Sequence, residues 1–188
     1  ARPGAGPHRR SRRRIEGLRR LNPRSATAFA FRAQTRVIMD EAVPALADLD
    51  QALVLADPSR AGQLYFARSR VHEGLGDPEA AVRDYGEALA SAPRNVDAWR
   101  SRAGLHRAAK RYDEAISDYT RVIEMAPEDT ESLYARVSLY RKIGASNLAI
   151  KDYNQVLEQQ PGSPKAHAQR GYLYLLPLIP VIIVLLLG

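Results

Sequence analysis

The chain has 188 residues and a net charge of +7, with 28 lysines and arginines against 21 acidic residues. This length is sufficient for a domain with a buried core. Because the chain contains no cysteine, disulfides, thiolate nucleophiles and cysteine-ligated metals are excluded, and the redox compartment stays undefined.

The excess of positive charge lies in residues 1–25, which carry nine arginines and a single glutamate. The rest of the chain is almost neutral, so we expect no attraction to polyanions across the whole body. A block of like charges predicts a segment that is disordered on its own. Three interpretations stay open: a solvated tail, a site for RNA, anionic lipid or an acidic surface, and a targeting segment. The arginines concerned are Arg9, Arg10, Arg12, Arg13 and Arg14.

From residue 26 the sequence repeats every 34 to 36 residues. Arginines mark the period at Arg32, Arg68, Arg102, Arg136 and Arg170. Three further positions recur at fixed distances from the arginine in the first four units. The first is alanine, the second is tyrosine or leucine, and the third is a small residue, as in Ala115, Tyr119 and Val122. Repetition at this period is typical of solenoids, in which stacked units bury a continuous core.

Each unit is predicted to form two helices. Apolar residues recur at helical spacing in the first half, as in Trp99 and Ala103, and again in the second half, as in Ala115 and Tyr119. Glycine and proline separate the halves, as in residues 74–78. Ala103 and Ala115 are small enough for the two helices to cross closely. The predicted fold class is therefore all-α.

This pattern resembles the tetratricopeptide repeat (TPR) family. The resemblance implies a right-handed α-solenoid of helical hairpins, with no catalytic residues and no cofactor. It predicts four full repeats at 26–61, 62–95, 96–129 and 130–163, followed by a fifth first helix at 164–176. The first repeat departs from the family pattern, with Phe29 in the tryptophan place, Leu49 for tyrosine and an insertion before Pro58, which is expected to close it.

Members of this family generally bind extended peptides along the concave face, through side chains of the first helices. The resemblance places Phe66, Arg70, Arg100, Arg107, Tyr134, Arg141, Lys142 and Lys165 in that groove. Their basic and aromatic character predicts a partner peptide or helix that is acidic and partly apolar. A chaperone tail of the EEVD type is disfavoured, because the clamp positions hold residues such as Ala30, Gln34 and Asp97 instead of lysine and asparagine.

An aspartate follows each of the first four marker arginines by sixteen residues. The pairs are Arg32 with Asp48, Arg68 with Asp84, Arg102 with Asp118, and Arg136 with Asp152. The recurrence predicts a structural ladder of ion pairs between helices, and a ladder that binds an acidic ligand is the alternative. A further alternative pairs each aspartate with the arginine of the next unit, eighteen residues later, as Asp118 with Arg136.

Enzymatic and metal-binding motifs are weak. The Gly74-Leu75-Gly76 segment lacks the third glycine of a nucleotide-binding loop and falls in a predicted turn between helices. His72 and His106 occupy one repeat position and are interpreted as core residues rather than ligands. We therefore predict a protein that is not an enzyme and holds no metal.

The last eighteen residues, 171–188, carry no charge, and they end in the hydrophobic tail 177–188. A spanning helix needs about 20 apolar residues, and Pro177 and Pro180 weaken a helix here. Three interpretations stay open: a membrane anchor with the repeats on the cytosolic side, packing against another subunit or inside the superhelix, and a truncated or aberrantly spliced end.

The sequence thus predicts a non-catalytic scaffold that binds a segment of another protein, with membrane tethering by the tail left open. The alternative is a subunit of a larger membrane or RNA-containing assembly, with both termini buried against neighbours. The expected location is cytoplasmic, with a C-terminal anchor and import into an organelle left open.

Overall fold

The structure, a computed structural model, describes residues 25–178. The arginines of the N-terminal arm and residues 179–188 of the hydrophobic tail lie outside this range. Within it the chain forms nine α-helices and no strand, as the sequence predicted. They are α1 (Ala26–Ile38), α2 (Ala42–Leu55), α3 (Pro58–Gly74), α4 (Pro78–Ser91), α5 (Val96–Ala108), α6 (Tyr112–Met125), α7 (Thr130–Lys142), α8 (Ser146–Gln159) and α9 (Pro164–Leu175), with a 3₁₀ turn at Leu176–Leu178.

The odd-numbered helices are the first helices of the repeats, and most of them begin at a capping side chain. Ser25, Asn95, Asp129 and Ser163 each accept a hydrogen bond from the backbone N–H three residues later. Such caps satisfy N–H groups that have no partner within the helix. Pro58 is the first residue of α3, where the missing N–H of proline has no cost. It therefore opens a helix rather than closing the first repeat, and α3 crosses the predicted boundary at 61/62.

The turn inside each hairpin has one repeated backbone geometry. A residue with positive φ lies eight places after the marker arginine, at Asp40, Gly76, Lys110 and Gly144. The next residue donates its N–H to the carbonyl five places earlier, for example Arg111 to His106 at 2.9 Å. This is a Schellman motif, in which a left-handed residue ends the helix. Glycine adopts that conformation without strain, whereas Lys110 does so at a cost.

The chain divides into two compact units, Ala1–Ala98 and Trp99–Gly188. In the first unit, α1 packs on α2, and α3 packs on both α2 and α4. Its core includes Ala45 and Ala81, each with none of its surface exposed, and the fully buried ring of Tyr85. Gly62 of α3 lies so close to α4 that an added Cβ would be 2.6 Å from the Cβ of Ser91.

In the second unit, α7 packs on α6 and α8, and α9 packs on α8. Ala103, Ala115 and Ala149 are completely buried, and Ala103 and Ala115 belong to one apolar cluster with Tyr119 and Leu139. Small side chains therefore occupy the places where the helices approach most closely, as the sequence predicted.

Candidate protein-binding site

Each marker arginine is held by the aspartate sixteen residues later. Arg68 donates from Nε and Nη2 to the two carboxylate oxygens of Asp84, both at 2.7 Å. Arg136 and Asp152 form the same two-point contact at 2.9 and 2.7 Å. Arg32 with Asp48, and Arg102 with Asp118, repeat it. The four aspartates are nearly fully buried. Because each arginine lies on the first helix of a repeat and its aspartate on the second, each pair joins the two helices.

The remaining faces of these guanidinium groups are also occupied. Aromatic rings three residues earlier lie under Arg32, Arg68 and Arg102, with the Trp99 ring centroid 4.8 Å from the Cζ of Arg102. In the fourth repeat, where position 133 is leucine, the ring under Arg136 belongs to Tyr140 instead. Cation–π contact of this kind orients the guanidinium as well as stabilising it.

The third nitrogen of several guanidinium groups reaches the preceding repeat. Nη1 of Arg68 contacts Asp50 at 2.7 Å, Nη1 of Arg136 donates to Thr120 at 2.9 Å, and Nη1 of Arg170 donates to Asn154 at 2.7 Å. Arg68 and Arg136 are thus engaged within the fold on several sides, which favours the structural interpretation over a ladder that binds an acidic ligand. Asp118 pairs with Arg102 of its own repeat.

Three of the four ladder aspartates have a further neighbour, which lies four residues after the marker arginine. Arg36 forms an ion pair with Asp48 at 2.7 Å, while the Nε2 atoms of His72 and His106 lie 3.8 and 3.9 Å from Asp84 and Asp118. His106 is buried, and its Nδ1 has no hydrogen-bond partner in the described part of the chain. Burial, together with Arg111 and Arg102, lowers the pKa of His106 despite the opposing effect of Asp118.

Arg100, predicted to line the groove, is tied to the start of α7. Its Nη2 lies 2.7 Å from Oδ2 of Asp129, whose other oxygen caps the helix at Ser132. Burial raises the pKa of Asp129, but the hydrogen bonds from Arg100 and Ser132 lower it by more, so the net shift is downward. Arg107 is exposed beside the buried phenol of Tyr119, and Lys142 is exposed at the end of α7.

The α7–α9 groove of the second unit is basic and aromatic. We define it by Tyr134, Ser138, Arg141, Lys165, Gln169 and Tyr172. The ammonium of Lys165 lies 4.8 Å from the centroid of the Tyr134 ring, and the Tyr134 hydroxyl is 3.4 Å from the Ser163 hydroxyl. Arg141 donates to Gln169 at 3.0 Å, and burial raises the pKa of Tyr153 despite the opposing charge of Arg141. Two cations are thus fixed in place by neutral partners.

The α1–α3 cleft of the first unit is apolar. It has a volume of about 620 Å³ and is lined mainly by apolar side chains of α1 and α3, with contributions from Leu49 and Ala56. The predicted groove residues Phe66 and Arg70 both line it. Phe66 is fixed by an edge-on contact with Tyr85 at 5.9 Å between centroids. Phe31 remains 45% exposed in the cleft.

The two grooves carry different side chains at equivalent positions of the repeat. Counting from the marker arginines, Ala30 and Ala67 of the cleft correspond to Tyr134 and Gln169 of the α7–α9 groove. Val37 and Gln63 correspond to Arg141 and Lys165. At these positions the first unit carries two alanines, a valine and a glutamine, whereas the second carries a tyrosine, a glutamine and two basic residues. The residues predicted for a single groove fall on both of these surfaces, and Phe31 was not among them.

Comparison with known proteins identifies the repeat. Two models of the tetratricopeptide repeat match residues 66–130 and 130–163, which together make up more than half of the chain. The chain belongs to the TPR family.

Solved TPR structures show the same fold. MamA matches with a TM-score of 0.70 and 16% identity over 84% of this chain and 96% of its own. YrrB, described as a TPR protein with an unusual peptide-binding site, has a TM-score of 0.69 and 19% identity over 86% of this chain and 84% of its own. At these identities the likeness shows the fold alone, an all-α TPR solenoid.

A further match is the first TPR domain of Spaghetti (RPAP3) bound to the HSP90 peptide SRMEEVD. Its TM-score is 0.55 with 19% identity, over 63% of this chain and 95% of its own. No curated protein matches the sequence.

Two further observations concern metal-binding groups and membrane-spanning helices among the described residues of this TPR chain. No group of three or more histidine and acidic side chains within 25–178 is arranged to hold a metal ion. Among the helices of the same range, none combines the length and apolar character needed to cross a membrane. TPR repeats are in general non-catalytic interaction modules.

Proposed function

We propose that this TPR protein is a non-catalytic interaction scaffold and that its α7–α9 groove binds an extended acidic segment of a partner protein. The observation that carries the proposal is the position of Lys165 over the Tyr134 ring, together with the contact of Arg141, two turns further along α7, with Gln169. Both cations are held by neutral groups, so their charge remains available to an acidic partner. The rings of Tyr134 and Tyr172 offer apolar surface next to that charge.

Fluorescence anisotropy with a labelled peptide of alternating glutamate and leucine tests this proposal. We expect the peptide to bind more tightly than its glutamine counterpart, and the difference to shrink as salt screens the charges. Lys165→Glu and Arg141→Glu should each weaken binding by about tenfold or more, which corresponds to ~1.4 kcal/mol. Lys151→Glu is the matched control, because Lys151 is exposed on α8 outside the groove. Equal binding of the two peptides, or equal loss in the control, would refute the proposal.

The mode of recognition differs from a carboxylate clamp. The positions that would form such a clamp hold residues including Ala30, Gln34 and Asp97, so we expect SRMEEVD and its C-terminal amide to bind equally weakly. A marked preference for the free carboxylate would contradict this expectation. Membrane tethering by residues 171–188 stays a prediction, whose test is carbonate-resistant membrane association that is lost when the chain is cut after Arg170.

A further inference from the structure

The α1–α3 cleft is an apolar surface whose chemistry does not suit the acidic partner of the α7–α9 groove. Phe31 and Val37 remain 45% and 50% exposed along its wall. Its two charged lining residues are arginines, Arg60 and Arg70, and both are exposed. Ala30 and Ala67 also line the cleft. An exposed apolar cleft of this size, 620 Å³, is typical of a site that another apolar group covers.

The chain itself contains a segment with matching chemistry. After Arg170 no charged residue occurs up to position 188, and Val181–Leu187 is an unbroken aliphatic run. The described part of this segment already exposes apolar side chains, with Tyr174 and Leu175 each 55% exposed. Such a segment buries no charge when it enters an apolar cleft, so its transfer from water is favourable.

The lengths are also compatible. Ten residues in extended conformation reach about 33 Å. The wall formed by α1, with 13 residues, is about 20 Å long. The segment 179–188 is therefore long enough to follow the whole cleft.

We infer that the α1–α3 cleft binds the uncharged C-terminal segment, residues 179–188, of a second copy of this chain. Every copy carries one cleft and one tail, so association covers both apolar surfaces in equal numbers. The contact is heterologous, which produces a ring if the rotation closes and an open chain if it does not. The inference concerns a different groove from the proposed function, and the tail carries no charge, so salt should not weaken the contact.

Sedimentation of the full chain over a dilution series tests the inference. The wild type should form oligomers that dissociate on dilution. Filling the cleft with the side chains of the other groove, Ala30→Tyr with Ala67→Gln, should give a monomer, and so should a charge in the tail, Val184→Asp. A mixture of the two variants should form a one-to-one dimer and nothing larger, because one intact cleft and one intact tail remain. Ala47→Gln, at an exposed position of α2, is the control and should associate like the wild type.

Cross-linking keeps the test independent of how well the filled cleft folds. The natural chain has no cysteine, so a Gln34→Cys chain mixed with a Leu185→Cys chain has only the introduced thiols. We expect this mixture to form, on oxidation, a disulfide between the thiol at position 34 of one chain and the thiol at position 185 of the other. In the control the first chain carries Glu87→Cys, on the exposed face of α4, instead of Gln34→Cys, and we expect no such disulfide. A wild type that stays monomeric at all concentrations would overturn the inference. The tail would then lie in the cleft of its own chain or in a membrane, and flotation with phosphatidylcholine vesicles would detect the membrane-bound form. Oligomers that persist in both variants would also overturn it.

Discussion

Arg102 and Asp118 form a two-point ion pair in which Nε and Nη2 of the arginine each lie 2.8 Å from a carboxylate oxygen. Asp118 is 3% exposed, and the indole of Trp99 covers the guanidinium. The pair connects α5 to α6, so it fixes the second helix of the hairpin against the first. Equivalent pairs occur in the other three full repeats, which makes this contact the repeated polar element of the fold.

Asp118→Ala should therefore lower the free energy of unfolding by about 3 kcal/mol, because it leaves a partly buried guanidinium without its partner. Urea unfolding followed by circular dichroism measures the change. The control is Glu124→Ala, which removes an exposed ion pair with Arg121 and should cost less than about 1 kcal/mol. Equal stability of the Asp118→Ala variant and the wild type would show that the pair does not stabilise the hairpin.

His106 predicts a dependence of stability on pH. Its folded-state pKa is lowered below the ordinary value of 6.5, mainly by burial. The imidazole therefore binds a proton more readily in the unfolded chain than in the folded one. The contribution of neutral His106 to the free energy of unfolding is complete above pH 6.5 and declines as the pH falls from there toward the folded pKa. Unfolding experiments in urea between neutral and mildly acidic pH should show the decline.

His106→Phe removes the titrating group but keeps an aromatic side chain, as Tyr140 does at the same place in the next repeat. We expect stability to depend less steeply on pH in this variant. A His106→Phe slope identical to that of the wild type would contradict the assignment.

The repeated features of the fold were predictable from the sequence, because a solenoid uses each contact several times. Four arginine–aspartate spacings of sixteen residues predicted ion pairs that the structure contains. Recurrent alanines predicted the helix crossings, and Ala115 and Ala149 are completely buried. A single occurrence of either pattern would not have distinguished a contact from coincidence.

The turns and the grooves were less predictable. Gly76 and Gly144 were recognisable as turn residues, but Asp40 and Lys110 adopt the same positive φ without glycine. In these turns the repeat geometry overrides the local preference. The open cleft depends on the absence of side-chain volume at Ala30 and Ala67, and alanine in a helix gives no sequence signal for a cavity. Its chemistry became apparent only when the packing of α1 and α3 was known.

Lys110→Gly should stabilise the protein, although glycine loses more chain entropy on folding than lysine does. Lys110 has φ of 59°, and the left-handed conformation costs a non-glycine residue about 1–2 kcal/mol. The loss of chain entropy with glycine offsets about 0.5–1 kcal/mol of that gain. We expect a net increase of about 0.5 kcal/mol in the free energy of unfolding. The matched comparison is Gly144→Lys, which places lysine in the equivalent turn and should destabilise by a similar amount. A loss of stability in Lys110→Gly would show that its side chain, rather than the backbone, determines the turn.

Gly62→Ala should destabilise the first unit, whereas Gly104→Ala should stabilise the second. Both glycines lie inside first helices, where alanine is favoured over glycine by about 1 kcal/mol. At Gly62 the new Cβ would lie 2.6 Å from the Cβ of Ser91, so α3 and α4 must move apart. At Gly104 the new Cβ meets no atom within 4 Å. Thermal unfolding should give opposite shifts in Tm, and Gly62→Ala combined with Ser91→Gly should recover much of the loss, because the second change removes the atom that is struck.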